Sequence, residues 1–228
     1  MIALKHLLYK YLANNKVGKL LLNLNFNSRF TDTAHYWEKR YRNKGTSGPG
    51  SYGNPALYKS GILNKFVAEN EIEKVIEFGC GDGNQLKLFH FPSYIGLDVS
   101  KTAIEKCIAI FKNDASKCFF LYNPKRFDNE SANFKACLCL SLDVIYHLLE
   151  DDVFEMYMQH LFRSSTNFVI IYAWDVDGKK NLHVRHRKFT RWTEENIKEW
   201  SLVQTIENKS NDPLCDFFIY KKNDTGIN

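Results

Sequence analysis

Glu77, Gly79, Gly81 and Gly83 alternate with other residues where the apolar run Val75-Ile76 ends, and a second acid, Asp98, closes the run Tyr94–Leu97 twenty-one residues after Glu77. Glycines at that spacing let a chain turn sharply and let a ligand reach the backbone amides. An acid at the end of the next strand can accept hydrogen bonds from ribose hydroxyls. The pattern is the first half of a nucleotide-binding α/β unit. It is not the dinucleotide fingerprint, which wants Gly or Ala where this chain has Asn84, and Glu77 is unusual in a nicotinamide site. Two further groups carry chemistry. One is Ser141-Leu142-Asp143-Val144-Ile145-Tyr146-His147, whose histidine is suited to general-base work. The other is His183-Val184-Arg185-His186-Arg187-Lys188, with Lys179, Lys180 and Arg191 nearby, a set suited to phosphate or carboxylate.

The periodicity supplies elements to position these groups. Strands are expected at 73–78, 94–98, 117–122, 135–140 and 168–173, each a short apolar run. Helices are expected from about 84, over 101–112 (Ile104, Cys107, Ile108 and Phe111 on one face) and near 151–162 (Phe154, Tyr157, Met158 and Leu161). Thr193 reads as the N-cap of a helix to Trp200, followed by strands near 201–207 and 216–221. Strands alternating with helices mean a parallel sheet covered on both faces. Upstream, a helix over 56–69 follows the run 45–53, whose four glycines exclude regular structure. Residues 1–55 read as a basic helical arm and Gly-rich cap, 56–222 as one α/β domain, and 223–228 as a frayed tail.

Bulk properties narrow the class. At 228 residues the chain suits one domain with an extension. Its net charge of +5 equals that of residues 1–31, where Lys5, Lys10, Lys16, Lys19 and Arg29 meet no acid. The remaining body is neutral, unlike a duplex-DNA binder. The arm reads as a docked helix with its lysines in water, or as a contact for anionic lipid. The six cysteines include no C-x-x-C pair, no carboxylate/His cluster has metal-ligand spacing, and no apolar run is long enough to span a membrane. A reducing cytoplasm, with peripheral contact at the inner membrane surface as an option, is the expected location.

The run Glu77-x-Gly79-x-Gly81-x-Gly83, followed by Asp98, resembles the class I S-adenosylmethionine (SAM)-dependent methyltransferases, and the likeness extends over roughly residues 36–222. It implies an α/β, Rossmann-like, seven-stranded sheet of order 3-2-1-4-5-7-6, the seventh strand antiparallel, with helices on both faces and an N-terminal helical cap. It also implies SAM as cofactor, S-adenosylhomocysteine (SAH) as product, and no metal. By this resemblance Gly79, Cys80, Gly81, Asp82, Gly83, Asn84 and Gln85 surround the methionine portion, and the helix from Asn84 presents its N-terminus to the carboxylate. Glu77 orders the loop near the amino group, and Asp98, beside Val99, takes the ribose. Ser141 and Leu142 offer backbone contacts, Arg40 pairs with the carboxylate, and Trp37 or Tyr52 closes over the ligand. Many relatives carry an acid after the third strand to hold adenine, whereas this chain has Tyr122-Asn123-Pro124-Lys125.

His147 is the first candidate base, with Tyr146 and Asp143 behind it. His183, Arg185, His186 and Arg187, with Tyr52, are the expected acceptor contacts, which implies an anionic acceptor. Tyr36-Trp37-x-x-Arg40-Tyr41, the Gly-rich run to Gly53 and His183-x-Arg-His-Arg-Lys-Phe189 resemble members encoded with bacterial capsule and lipopolysaccharide synthesis. The expected reaction is therefore O-methylation of a sugar or sugar-phosphate acceptor in surface polysaccharide biosynthesis. Alternatives are an amine or phosphoryl acceptor, and more remotely protein or nucleic acid; the Asn/Asp-Pro-Pro-aromatic motif of base-amine methylation is missing. A SAM-binding protein with a decayed site is disfavoured by the intact glycines and acids.

Overall fold

The computed structural model describes residues 32–127, 132–178, 183–208 and 215–224. The basic arm up to residue 31, Lys179, Lys180, the tip of the last hairpin and residues 225–228 lie outside the described residues.

Helices α1 (Thr33–Arg42) and α2 (Gly53–Glu69) lead into strand β1 (Lys74–Phe78). Then come β2 (Ser93–Asp98), α3 (Lys101–Ile110), β3 (Lys117–Leu121), β4 (Ala136–Leu142), α4 (Asp151–Ser164) and β5 (Ser165–Ala173). Helix α5 (Phe189–Asn196) and the pair β6 (Trp200–Ile206) and β7 (Asp216–Lys222) complete the described chain. The sheet has seven strands in the order β3-β2-β1-β4-β5-β7-β6. Strands β1 to β5 run parallel, and β7 is antiparallel to both β5 and β6. This is the sheet the resemblance implied.

Central strands are apolar on both sides because both faces are covered. Ile76, Phe78, Val169 and Ile171 pack with Phe154, Met158 and Leu161 of α4 and Phe189 of α5. On the opposite face Val75, Leu138 and Ile170 pack with Leu63 and Val67 of α2 and Ile104 and Cys107 of α3. Side-chain caps start two helices: Asp32 accepts from the His35 amide (2.7 Å) and Ser100 from the Ala103 amide (3.1 Å).

Two local expectations fail. The helix from about residue 84 is only a short 3-10 turn, Gln85–Leu88. Leu86, Phe89 and Phe91 are all buried there, and the Phe89 and Phe91 rings stack at 4.5 Å, so the chain turns inward instead of following a helical stripe. Thr193 is not an N-cap. It is buried inside α5 and donates to the Phe189 carbonyl (2.9 Å). The start of α5 is held from a distance by Asp175, which accepts from the Thr190 amide (3.0 Å) and hydroxyl (2.6 Å). Trp200 opens β6. Within the Gly-rich run, Pro49–Ser51 forms a 3-10 turn and Gly53 already belongs to α2.

Candidate active site

The carboxyl ends of β1, β2 and β4 converge on one cavity of about 480 Å³. Its floor is the loop after β1. Asp98, at the end of β2, accepts from the Gly81 amide (2.9 Å) and from the Ser100 amide (2.8 Å), which ties the glycine loop to the start of α3. Burial holds the Asp98 carboxyl up at about 6, against the lowering effect of those two amides. Glu77 is buried beside it and accepts from the Tyr94 hydroxyl at 2.5 Å; burial pushes its carboxyl up to about 7.

The glycines are required here by close approach. A Cβ on Gly79 would strike the Val144 side chain, and one on Gly81 would strike the Ser47 hydroxyl with the Tyr41 hydroxyl 3.0 Å away. Gly81 also sits at φ +62°, where an L side chain costs roughly 1–2 kcal/mol. Gly81→Ala is therefore expected to lower unfolding free energy by about 2 kcal/mol or more in a denaturant titration, strain and clash together. An unchanged midpoint would show that the loop relaxes freely.

The inner end of the cavity holds a group that sequence reasoning missed. Lys59 of α2 is 1% exposed, lines the cavity and donates to Asp143 Oδ2 at 2.5 Å. Asp143 has φ +60° and also accepts from the Tyr146 hydroxyl (2.9 Å). The signal was present in the sequence. Lys59 falls on the same helical stripe as Ala56, Leu63 and Val67, which are buried, and a lysine on a core stripe needs a buried partner. Close by, Gln85 donates through Nε2 to the Ala56 carbonyl (3.0 Å), while its buried Oε1 has no partner.

The outer end is lined by Trp37 of α1, His147, Val99, Leu121 to Lys125, and the acids Asp32, Glu150 and Asp152. His147 Nδ1 lies 2.8 Å from the His183 carbonyl, which can only accept. Nδ1 therefore carries the proton, and Nε2 is left with the lone pair. Burial holds this imidazole down at about 4, with the His183 carbonyl opposing, so it is neutral at pH 7. The Trp37 ring meets it edge-on at 5.0 Å, and the His183 ring stacks on it at 5.4 Å.

The structure thus gathers Glu77, Gly79, Cys80, Gly81, Gln85, Asp98, Val99, Leu142, Asp143, His147 and Trp37 around the cavity. Other candidates stand elsewhere. Ser141 lies within β4, and its hydroxyl accepts from Tyr157 (2.8 Å) in the core. Tyr146 does not line the cavity; its hydroxyl is turned to Asp143. Gly83 packs beneath the loop, where a Cβ would lie 3.0 Å from Cys107 Sγ. Asp82, Asn84 and Tyr52 bind the Gly-rich run: Asp82 accepts from the Ser47 amide and the Tyr52 hydroxyl, and Asn84 donates to the Ser51 carbonyl. Arg40 donates to the Thr46 carbonyl (2.7 Å) and lies over the outer Trp37 ring at 5.3 Å.

The basic cluster does not reach the cavity either. Arg185 pairs with Asp151 (2.9 Å) and donates to the Leu149 carbonyl. Arg187 pairs with the same Asp151 (3.0 Å), donates to the Leu148 carbonyl (2.7 Å) and lies over the Phe154 ring. Both guanidiniums fasten the segment after β5 to the start of α4. His186 packs against Trp174 (4.7 Å), and His183 stacks between Tyr36 and His147. Among the described residues, no three His, Cys, Asp or Glu side chains gather as a metal site.

No family model matches the sequence, and no curated protein matches it. Solved structures do match by shape. The N-methyltransferase NodS from Bradyrhizobium japonicum, in complex with SAH, superposes with a TM-score of 0.63 at 15% identity, over 84% of this chain and 99% of that one. Magnesium protoporphyrin IX methyltransferase from Synechocystis PCC 6803, with bound SAH, gives 0.62 at 12% identity, over 83% and 97%. The methyltransferase domain of a bacterial Hen1 gives 0.58 at 18%, over 73% and 98%. The chain has the class I methyltransferase fold. On that fold the cavity described above lies at the carboxyl edge of the sheet, where the strand order reverses between β1 and β4.

Proposed function

We propose that this chain is a SAM-dependent methyltransferase that methylates a hydroxyl of a sugar-type small molecule, in keeping with a role in surface polysaccharide biosynthesis. The observation that carries the reading is that His147, neutral and with its Nε2 lone pair, shares one cavity with the glycine loop and Asp98. The residues present suit the cofactor. Gln85 Oε1 is an unanswered buried acceptor for an ammonium, and Lys59 supplies a buried cation for a carboxylate. Asp98 keeps lone pairs for ribose hydroxyls beyond the two amides it already serves. The wall carries Asp32, Glu77, Asp98, Asp143, Glu150 and Asp152 against Lys59 and Lys125, a balance that favours a ligand bearing a sulfonium.

Bound SAM supplies an electrophilic methyl group, and the chain's own residues do the rest. The cavity wall holds the acceptor in line and excludes water. His147 Nε2 would take the hydroxyl proton as the C–O bond forms and the methyl–sulfur bond breaks, sulfur keeping that electron pair in SAH, while the His183 carbonyl keeps Nδ1 protonated. Trp37 offers a ring for the apolar face of a sugar, and the outer carboxylates accept from its hydroxyls. With Arg185 and Arg187 engaged at Asp151, the cavity offers an acceptor carboxylates for hydroxyls and not guanidiniums for a phosphate. The same carboxylates favour an amine as second reading; loss of His147 would then matter little.

Calorimetric titration with SAM and SAH, with NAD as control, tests the cofactor. Binding of the first two alone is expected. Because a cation beside Glu77 and Asp98 favours their ionised forms, SAM affinity is expected to rise between pH 5.5 and 7.5. Failure of SAM and SAH to bind would remove the reading.

A further inference from the structure

A second concavity, a groove of about 610 Å³, shares only Tyr41 with the cavity and is of a size that holds a small molecule. Four cations line it, brought there by separate parts of the chain. Arg42 ends α1, Lys44 follows it, Lys87 lies in the 3-10 turn after the glycine loop, and Lys106 belongs to α3. Among the described residues none of the four forms an ion pair. Asp82 is the one carboxylate on the groove wall, and it is already engaged. Burial pushes its carboxyl up, but the Tyr52 hydroxyl and the Ser47 and Asn84 amides that it accepts from together hold it below its usual range. Glu38, near enough to feel the charge of Arg42, spends both oxygens on Ser100 and Thr102.

A cation at the carbonyl end of α1 steadies that helix, which accounts for Arg42 and for one bond of Lys106. It does not account for Lys87, nor for four cations around one concavity with no free acid on its wall. Lys106 Nζ is fixed at the groove by the Tyr41 and Gly45 carbonyls (3.4 and 3.5 Å) and lies 5.3 Å from the centre of the Tyr41 ring. Like charges around one groove repel each other, and an anion bound between them relieves the repulsion. Beside the cations, Ala109 and Ile110 give the groove an apolar side, and Ile110 is 44% exposed.

We propose that this groove binds a phosphate ester, held by Arg42, Lys44, Lys87 and Lys106. The proposal is independent of the cofactor reading above. Arg42 offers paired N–H donors to two oxygens of one phosphate group, and the lysines neutralise the remaining charge. The apolar side favours an organic body on the phosphate over the bare inorganic ion. A soluble ester and a lipid headgroup present the same chemistry to these side chains. The chain's capacity for anions then lies here, whereas Arg185 and Arg187 are spent on Asp151.

The test is calorimetric titration of the full chain with glycerol 3-phosphate at low salt. It compares wild type, a groove variant (Arg42→Gln with Lys87→Gln) and a control variant (Lys65→Gln with Lys101→Gln). The control loses the same charge outside the groove, and all four side chains are exposed, so neither variant is expected to unsettle the fold. Affinity is expected to fall about tenfold or more in the groove variant and less than about twofold in the control. Sedimentation with vesicles of phosphatidylcholine, alone or mixed with phosphatidic acid, separates the two sources. Binding of the mixed vesicles alone, lost in the groove variant, assigns a lipid headgroup. Groove-dependent binding of glycerol 3-phosphate without vesicle binding assigns a soluble ester. Equal losses in both variants would reduce the effect to diffuse charge and overturn the site. So would probe binding that the groove variant leaves intact, or wild type that binds neither probe. A single-stranded oligonucleotide that binds far more tightly than both probes, and loses that affinity in the groove variant, would give the groove to a nucleic-acid backbone instead.

Discussion

His147→Ala is expected to lower single-turnover methyl transfer to a hydroxyl acceptor by about 10²–10⁴-fold while leaving SAH affinity unchanged. The reason lies in how the imidazole is held. The His183 carbonyl fixes the tautomer, and the stacked His183 ring and edge-on Trp37 ring fix its plane. Only Nε2 is left to accept a proton. Burial keeps the conjugate acid near 4, so the imidazole is neutral throughout the neutral range but a weaker proton acceptor than a histidine of ordinary pKa. The acid limb of the rate profile should accordingly fall near pH 4 and not near the usual histidine value of about 6.5.

Stability carries the same signature with a definite sign. The folded imidazole stays neutral, whereas the unfolded chain takes up a proton below about pH 6.5. Its contribution is therefore present above that pH and is lost as pH falls towards 4. His147→Gln should flatten this part of the stability curve. If the alanine variant keeps its single-turnover rate, His147 is a packing residue and the amine reading gains.

Lys59→Met is expected to act twice. Asp143, whose side chain is 19% exposed, would lose the cation 2.5 Å away, and leaving its carboxylate without that partner costs about 1–3 kcal/mol, to be seen by denaturant unfolding. Lys59 has three donors, spends one on Asp143 and lines the cavity, so on the proposed function it is a candidate donor to the cofactor carboxylate. SAH affinity should therefore fall about 10–100-fold, the worth of a charge-assisted bond. Binding of 5′-methylthioadenosine, which has no carboxylate, should hold. Equal losses for both ligands would mean that Lys59 shapes the loop and does not touch the ligand. Lys59→Arg, with its charge intact but its geometry wider, should recover part of the affinity for SAH only.

Local sequence patterns determined the strands of a parallel sheet and the position of the glycine loop, while the strand order followed from the family resemblance. Strong apolar runs at β1, β4 and β5, the acids Glu77 and Asp98 and the alternating glycines are local patterns, and local patterns survive without knowledge of the neighbours. Local signals also misled where a distant partner prevailed. The first turn of α5 is held by Asp175 from fifteen residues away, so Thr193 only looked like a cap. The expected helix after Asn84 gave way because Phe89 and Phe91 have a core to enter.

What tertiary structure alone decided is which charged side chains face the cavity. Arg185 and Arg187 read as ligand-binding from composition, yet each is satisfied by Asp151 and by carbonyls preceding α4. Lys59 was not singled out from the sequence, yet it is the cation buried at the inner end. An ionised side chain must find a counter-charge or water, and a sequence does not say which partner folding brings within reach. For Asp82 and Asp98, two acids sixteen residues apart, that choice tied one to the Gly-rich run and left the other lining the cavity against the glycine loop.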